Sequence, residues 1–276
     1  MFKTIYSPFI VKQLRFSSKK HSGSSGKWLS RHVNDEFTQK SLKENYLSRA
    51  AYKLLEINEK YNLFTKKNSQ KILDLGMAPG AWSQVARKHT HPNSIILGVD
   101  LLDIDPVDGV DFYQGNILFK STLNVIRKHF DLEKESSDEK VGVVDVVMSD
   151  MYGFIQTNEQ YDKDRFYSNI GTNKSINRLQ NISGITFKDH MGSVDLCDAT
   201  LVVCLNLLKP GGTMVCKILR GEEEDLLKER CGKLFENVYT LKPAASRNES
   251  KEYYLICKGR VKTPITVQQL FSSNKQ

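Results

Sequence analysis

Apolar residues at Tyr46, Ala50, Leu54, Ile57 and Tyr61 recur at steps of three and four, a period that predicts an amphipathic helix over Leu42–Leu63. Ser41 stands as its N-cap, and Glu44 three residues on completes a capping box. Beyond it, short apolar runs alternate with helical periods. Strands are predicted over Lys71–Leu75, Ser94–Val99, Val110–Tyr113, Val141–Met148, Thr213–Leu219, Asn237–Leu241 and Glu252–Lys258. Helices are predicted over Ala81–His89, Thr122–His129, Met191–Leu208 and Glu222–Phe235, with Pro210-Gly211-Gly212 stopping the one that ends at Leu208. Val141–Met148 is almost wholly β-branched and apolar, the mark of a strand buried on both faces. The βαβα order predicts an α/β fold, a doubly wound sheet with helices on both faces.

Two stretches break this rhythm. Asp131–Lys140 is a run of charges and reads as a surface loop. Residues 152–190 hold five asparagines and no clear period. A structureless stretch of that length inside one domain is a functional lid, a partner-binding insertion or an unfolded segment.

Composition sets the class. With 39% hydrophobic and 26% charged residues in 276, the chain is globular rather than unstructured or collagen-like. No run approaches the roughly 18 apolar residues of a membrane helix, so no membrane span is expected. Five cysteines without a CxxC pair and six histidines without ligand spacing argue against a disulfide scaffold or a metal site. Three of the cysteines lie in apolar runs and read as small core residues of a reducing compartment.

The net charge of +8 is unevenly spread. Seven basic residues precede the first acid, Asp35; removing them from the 40 leaves 33 against 32 acidic residues. Residues 1–25 mix basic, hydroxyl and apolar residues and resemble a mitochondrial targeting segment, with Arg15-Phe16-Ser17-Ser18 as a processing region. A basic arm that touches RNA backbone is the alternative. A secretory signal is disfavoured for want of a continuous apolar stretch. Residues 26–276 are then expected to be one domain carrying the 152–190 insertion.

Chemistry concentrates at strand ends. Asp74-Leu-Gly-Met-Ala-Pro-Gly80-Ala-Trp82 follows a strand and opens a helix; Gly76 and Gly80 let the backbone turn sharply and approach a ligand. Pro79 breaks the G-x-G-x-x-G pattern, and Asp100 ends the next strand, where an acid can accept both ribose hydroxyls of an adenosine. An ordinary tight turn with a capping Asp is the plainer reading. Trp82 lies either in the core or against a cofactor. Without a Walker lysine to cradle phosphates, the pattern suggests S-adenosylmethionine.

Four charged residues stand out. Asp150 follows the buried strand VVDVVMS, and Lys217 lies inside the apolar MVCKIL, where an unpaired ammonium is costly. Lys53 lies on the predicted first helix and Glu252 opens the last strand; each also reads as an ordinary solvated charge.

SRAAYKL, DLGMAPGAWSQ, GVDLLDIDPVDGVDFYQGN, DVVMSDM, LKPGGTMVCK and SRNESKEYYLICKG together resemble the RrmJ/FtsJ family of ribose 2′-O-methyltransferases, over residues 40–150 and 191–260. The resemblance implies a Rossmann-like class I S-adenosylmethionine-dependent methyltransferase with a doubly wound, mostly parallel seven-stranded sheet. The family's catalytic Lys–Asp–Lys–Glu tetrad falls on Lys53, Asp150, Lys217 and Glu252. Its cofactor positions fall on Gly76, Pro79, Gly80, Ala81, Trp82, Asp100, Asn116 and Asp150, with no metal. With the N-terminal segment, the chain most resembles the family's fungal mitochondrial branch. That implies rRNA processing in the mitochondrial matrix: a uridine of large-subunit rRNA, naked or in a pre-ribosomal particle, is methylated in support of ribosome assembly.

Two departures from the family are visible. Asn116 stands where many relatives carry the Asp that accepts from the adenine amino group, so weaker cofactor binding is expected. Met151-Tyr152-Gly153-Phe154 replaces the family's Ala-Pro-Asn, which alters the lip on the substrate side.

Methyl transfer needs the sugar oxygen aligned with the methyl carbon at about 3 Å and a route for its proton. A lysine accepts that proton only when its pKa falls from about 10.4 toward neutrality. The expectation gives Lys217 this role with Lys53 as its like-charged neighbour, Asp150 orienting Lys217 and Glu252 placing the ribose or Lys53. The alternative keeps Lys217 cationic, stabilising a developing alkoxide. RNA phosphates are expected to meet basic residues of 27–53 and 242–262, and Tyr253 or Tyr254 to stack a base, with one of the two in the core. Competing functions are a tRNA anticodon-loop methyltransferase, a non-catalytic rRNA-binding assembly factor and a small-molecule O-methyltransferase.

Overall fold

Seven strands assemble in the order β3-β2-β1-β4-β5-β7-β6 in a computed structural model that describes residues 35–131, 142–152 and 186–272. The elements are α1 (Glu36–Lys43), α2 (Ala50–Tyr61), β1 (Lys71–Leu75), α3 (Ala81–His89), β2 (Ile95–Asp100), β3 (Asp111–Gln114) and α4 (Lys120–His129). They continue as β4 (Val144–Ser149), α5 (Thr186–Leu207), β5 (Leu208–Leu219), α6 (Glu224–Leu234), β6 (Phe235–Leu241), β7 (Glu252–Arg260) and α7 (Val267–Phe271). The predicted targeting segment, the charged stretch after Asp131 and residues 153–185 of the insertion lie outside the described residues.

Strands β1 to β5 run parallel, and β7 is antiparallel to both β5 and β6. From β1 the chain moves outward to β2 and β3, then returns to lay β4 on the other side of β1. That reversal is a topological switch point, and ligands of open α/β sheets bind outside the carboxyl ends of the strands there.

The period-two alternation of side chains sorts the core into two layers. Leu73, Leu75, Val147, Met214, Cys216 and Leu255 face a layer that includes α5 and α6, while Ile72, Val146, Met148, Val215, Tyr254 and Ile256 face one that includes α2 and α3. Lys217 shares the phase of Val215 and is thereby aimed at the α2 face. All five cysteines are buried and unbridged in the first layer.

The predicted Leu42–Leu63 helix is in fact two. Asn45 sits at φ 59°, in left-handed backbone that ends a helix, and the chain re-enters helix only at Ala50. Ser41 is not a cap, since its hydroxyl donates to the Thr38 carbonyl inside α1 (2.7 Å). Asp35 caps instead, accepting from the Thr38 N–H at 3.0 Å. The strand predicted from Thr213 begins at Leu208 and passes through Pro210-Gly211-Gly212. Its register against β4 shifts between Val144 and Val146, the kind of irregularity that tolerates proline within a sheet. Helix α7, not foreseen, is closed by a capping box between Thr266 and Gln269.

Candidate active site

At the carboxyl end of β1 the chain turns through Gly76, at φ 75°. A Cβ there would lie 2.4 Å from Met151 Cγ and 3.0 Å from Met151 Cα, so only glycine lets the ends of β1 and β4 approach. Gly80, at φ 109°, ends the turn and precedes α3; a Cβ on it would meet Val107 Cγ2 at 2.6 Å. Pro79 is exposed on this turn, whereas Ala81 and Trp82 are buried. The Asp100 carboxylate accepts from the Ala78 N–H at 2.8 Å and the Leu102 N–H at 2.9 Å, tying β2 to the glycine turn. Asn116 is half-buried, and its side-chain oxygen accepts from the Leu118 N–H at 3.0 Å. One lone pair of that oxygen is thus already engaged.

Asp74 is buried beneath the turn. One of its oxygens accepts from the Ser83 hydroxyl at 2.6 Å, and the other has no hydrogen-bond partner. Burial pushes its carboxyl up to about 7; the Ser83 bond opposes the shift, and the Asp150 and Asp100 charges add to it.

Across the switch point, the four predicted tetrad residues meet as two ion pairs. Lys217 Nζ lies 3.1 Å from Asp150 Oδ1 and donates to the Asp150 carbonyl at 2.7 Å. Lys53 Nζ, brought in by α2, lies 2.6 Å from Glu252 Oε1. Burial would raise the Asp150 carboxyl, but Lys217 and Lys53, with hydrogen bonds from Lys217 and Tyr254, outweigh it and hold the group below its ordinary value. The influence of both lysines on one carboxylate makes the two pairs a single electrostatic unit.

The sequence reading missed the support of this unit. Tyr254 donates its hydroxyl to Asp150 Oδ1 at 3.0 Å, and burial together with the Asp150 and Glu252 charges pushes that phenol well above its ordinary value. Trp82, 3% exposed, packs 5.6 Å from the Tyr254 ring and donates its indole N–H to the Ala50 carbonyl at 3.0 Å, which joins α3, α2 and β7. The signal was present in the alternation of EYYLIC, which gives Tyr254 the same phase as Ile256. The base-stacking expectation for these tyrosines fails, because Tyr253 and Tyr254 are 4% and 0% exposed and both belong to the core.

Several cations expected to meet phosphates hold the fold instead. Arg49 pairs with Asp35 and donates to the Ala245 carbonyl, and Arg247 Nε lies 3.4 Å from the same carboxylate. Lys258 donates to the Tyr61 carbonyl at 2.9 Å, and buried Arg260 donates to the Leu205 carbonyl at 3.2 Å. Lys43, Lys251 and Lys262 remain exposed, while Lys27 and Arg31 lie outside the described residues. Among the described residues, no helix is long and apolar enough to cross a membrane.

A seven-stranded sheet with its final strand inserted antiparallel, carrying this crevice at its switch point, is the fold of a class I methyltransferase. Residues 46–260 match the family described as FtsJ-like methyltransferase, and the chain belongs to that family. The resemblance drawn from the motifs is borne out. The chain is 40% identical to rRNA methyltransferase 2, mitochondrial, of Saccharomyces cerevisiae, over 88% of this chain and 89% of that protein. It is 37% identical to ribosomal RNA large subunit methyltransferase E of Rickettsia akari, over 87% and 91% respectively. A solved structure described as a ribosomal RNA methyltransferase of Plasmodium falciparum superposes with a TM-score of 0.57 at 26% identity, covering 78% of this chain and 99% of that one.

Proposed function

We propose that this methyltransferase uses S-adenosylmethionine to methylate a ribose 2′-hydroxyl, that of a uridine in mitochondrial large-subunit rRNA, and so supports assembly of the mitochondrial ribosome. The observation that carries the reading is the convergence of Lys53, Asp150, Lys217 and Glu252 in two ion pairs beside the glycine turn. The names of the yeast and Rickettsia relatives support the RNA substrate. The yeast relative and the targeting-like composition of residues 1–25 support a mitochondrial location.

The crevice suits a cationic nucleoside cofactor. A buried Asp74 oxygen without a partner and the interacting carboxylates of Asp74, Asp100 and Asp150, beside the glycine turn, favour positive charge and hydroxyl donors. Gly76, Pro79, Gly80, Ala81, Asp100, Asn116 and Asp150 would hold S-adenosylmethionine, with Trp82 bracing them from below. When bound there, the cofactor supplies the transferable methyl group.

The chain's own residues do the rest. Lys217 Nζ lies against the Asp150 carboxylate at 3.1 Å and donates to the Asp150 carbonyl at 2.7 Å. These contacts support a cationic Lys217 that stabilises charge building on the ribose oxygen, in preference to the proton acceptor suggested by the sequence; the hydroxyl proton then leaves to solvent water as the oxygen takes the methyl group. Lys53 adds a second positive charge, held in place by Glu252. Ribose-methylation mapping across mitochondrial RNA, with and without this protein, is expected to show one 2′-O-methyl uridine missing from the large-subunit rRNA. An unchanged rRNA pattern with a methyl lost from a tRNA would overturn the substrate assignment.

A further inference from the structure

Tyr152 stands two residues beyond Asp150, where the chain leaves β4 at the mouth of the crevice. Lys217 Nζ lies 4.9 Å from the centroid of its ring, so an ammonium of the tetrad rests on the aromatic face. Yet Tyr152 is 39% exposed, unlike the other aromatic side chains gathered about Asp150, Tyr254 and Trp82, which are sealed in the core. A large aromatic ring is thus left partly in water beside Lys217. Its position suits a flat partner that arrives with the substrate. Unpaired bases of RNA are commonly held in that way, stacked on an aromatic side chain while hydrogen bonds position the sugar and phosphate.

We propose that Tyr152 is a positioning residue on which the base of the target nucleotide stacks, so that the ribose of that nucleotide is set over Lys217. The partner is an unpaired nucleobase in a single-stranded or splayed-out RNA segment. This rests on the reading of ribose in RNA as the methyl acceptor and adds the element that orients it. The same ring thus meets the lysine and the base, which ties base recognition to the reacting centre. Tyr152, at the point where the motif departs from Ala-Pro-Asn, then has a purpose of its own.

The test uses the full chain with a large-subunit rRNA transcript as substrate and compares wild type with Tyr152→Phe, Tyr152→Trp and Tyr152→Ala. Methyl-transfer kinetics give KM for RNA and kcat separately, and calorimetry gives the affinity for S-adenosylmethionine. Tyr152→Ala is expected to raise KM for RNA about ten-fold, the usual cost of one lost base–aromatic stack, with cofactor affinity unchanged. Phe and Trp, which keep a ring, are expected to hold KM near the wild-type value. The proposal is overturned by a wild-type KM in Tyr152→Ala, by equal losses in Tyr152→Phe and Tyr152→Ala, or by a fall in kcat alone. A wild-type protein that transfers no methyl to RNA overturns the functional reading itself, whereas an active wild type with an indifferent Tyr152→Ala sinks only the stacking role.

Discussion

Lys217 reaches Asp150 from within the sheet, whereas Lys53 reaches Glu252 from the flank of a helix. The first pair is surrounded by fixed partners: Asp150 binds Lys217 through both its carboxylate and its carbonyl and also accepts from Tyr254. The second is a single short contact between α2 and the first residue of β7. Its precision is set at a distance, where Arg49 donates to the Ala245 carbonyl and Glu56 accepts from the Ala244 and Ala245 N–H groups at 2.6 and 2.8 Å. All three α2-side contacts grip the connection between β6 and β7. The sheet pair is therefore built to aim an N–H donor, and the helix pair to place a second charge near Asp150.

That contrast ranks the effects of substitution. Lys217→Ala should cost the most, about 10³-fold in turnover, as expected when a donor aimed at developing charge is lost. Cofactor affinity should stay near wild type, and calorimetry beside single-turnover methyl transfer checks both. Asp150→Asn should follow at about 10²-fold, since Lys217 keeps a neighbour but loses its counter-charge. It also has a pH signature. The Asp150 carboxyl is held below its ordinary value, so its contribution to stability is present above the unfolded-state pKa and lost as pH falls through the lower folded-state value. The acid limb of Tm against pH should be shallower in Asp150→Asn than in wild type.

Glu252→Gln should lower turnover by only about ten-fold, in line with a charge that acts through Lys53 rather than on the reacting atoms. A loss as large as that of Lys217→Ala would erase the distinction between the pairs. Asp74→Asn should be the mildest in turnover and clearest in stability. Asp74 is raised to about 7 when folded, so the unfolded chain releases this proton first and the folded state loses stability as pH rises from about 4 to about 7. Asn carries no such proton. The fall in Tm across that window should shrink in the variant relative to wild type.

Elements with a strong local signature were readable from the sequence. β1 and α3 have the bounds expected of them because an apolar run meets a glycine turn and then a helical period. Lys217 was readable because an ammonium in an apolar strand must find a partner. The break at Asn45 was not, since the apolar spacing continues through it and Tyr46 is buried although it lies between helices. The roles of Tyr254 and Trp82 depend on how β7, α2 and α3 pack, which no local pattern specifies. The basic residues misled for a related reason: Arg49, Lys258 and Arg260 look like solvated charges in sequence, but backbone carbonyls and Asp35 claim them once the chain folds.

The most direct test follows the methyl group itself. Purified protein is given S-adenosylmethionine labelled in its methyl carbon and the large-subunit rRNA, and the product is hydrolysed with alkali, which cannot cleave beside a methylated 2′-oxygen. Label in an alkali-resistant dinucleotide with wild type, and none with Lys217→Ala, is the result predicted by a ribose oxygen held over the sheet pair. Label released on free mononucleotides, or undiminished labelling by Lys217→Ala, would contradict it.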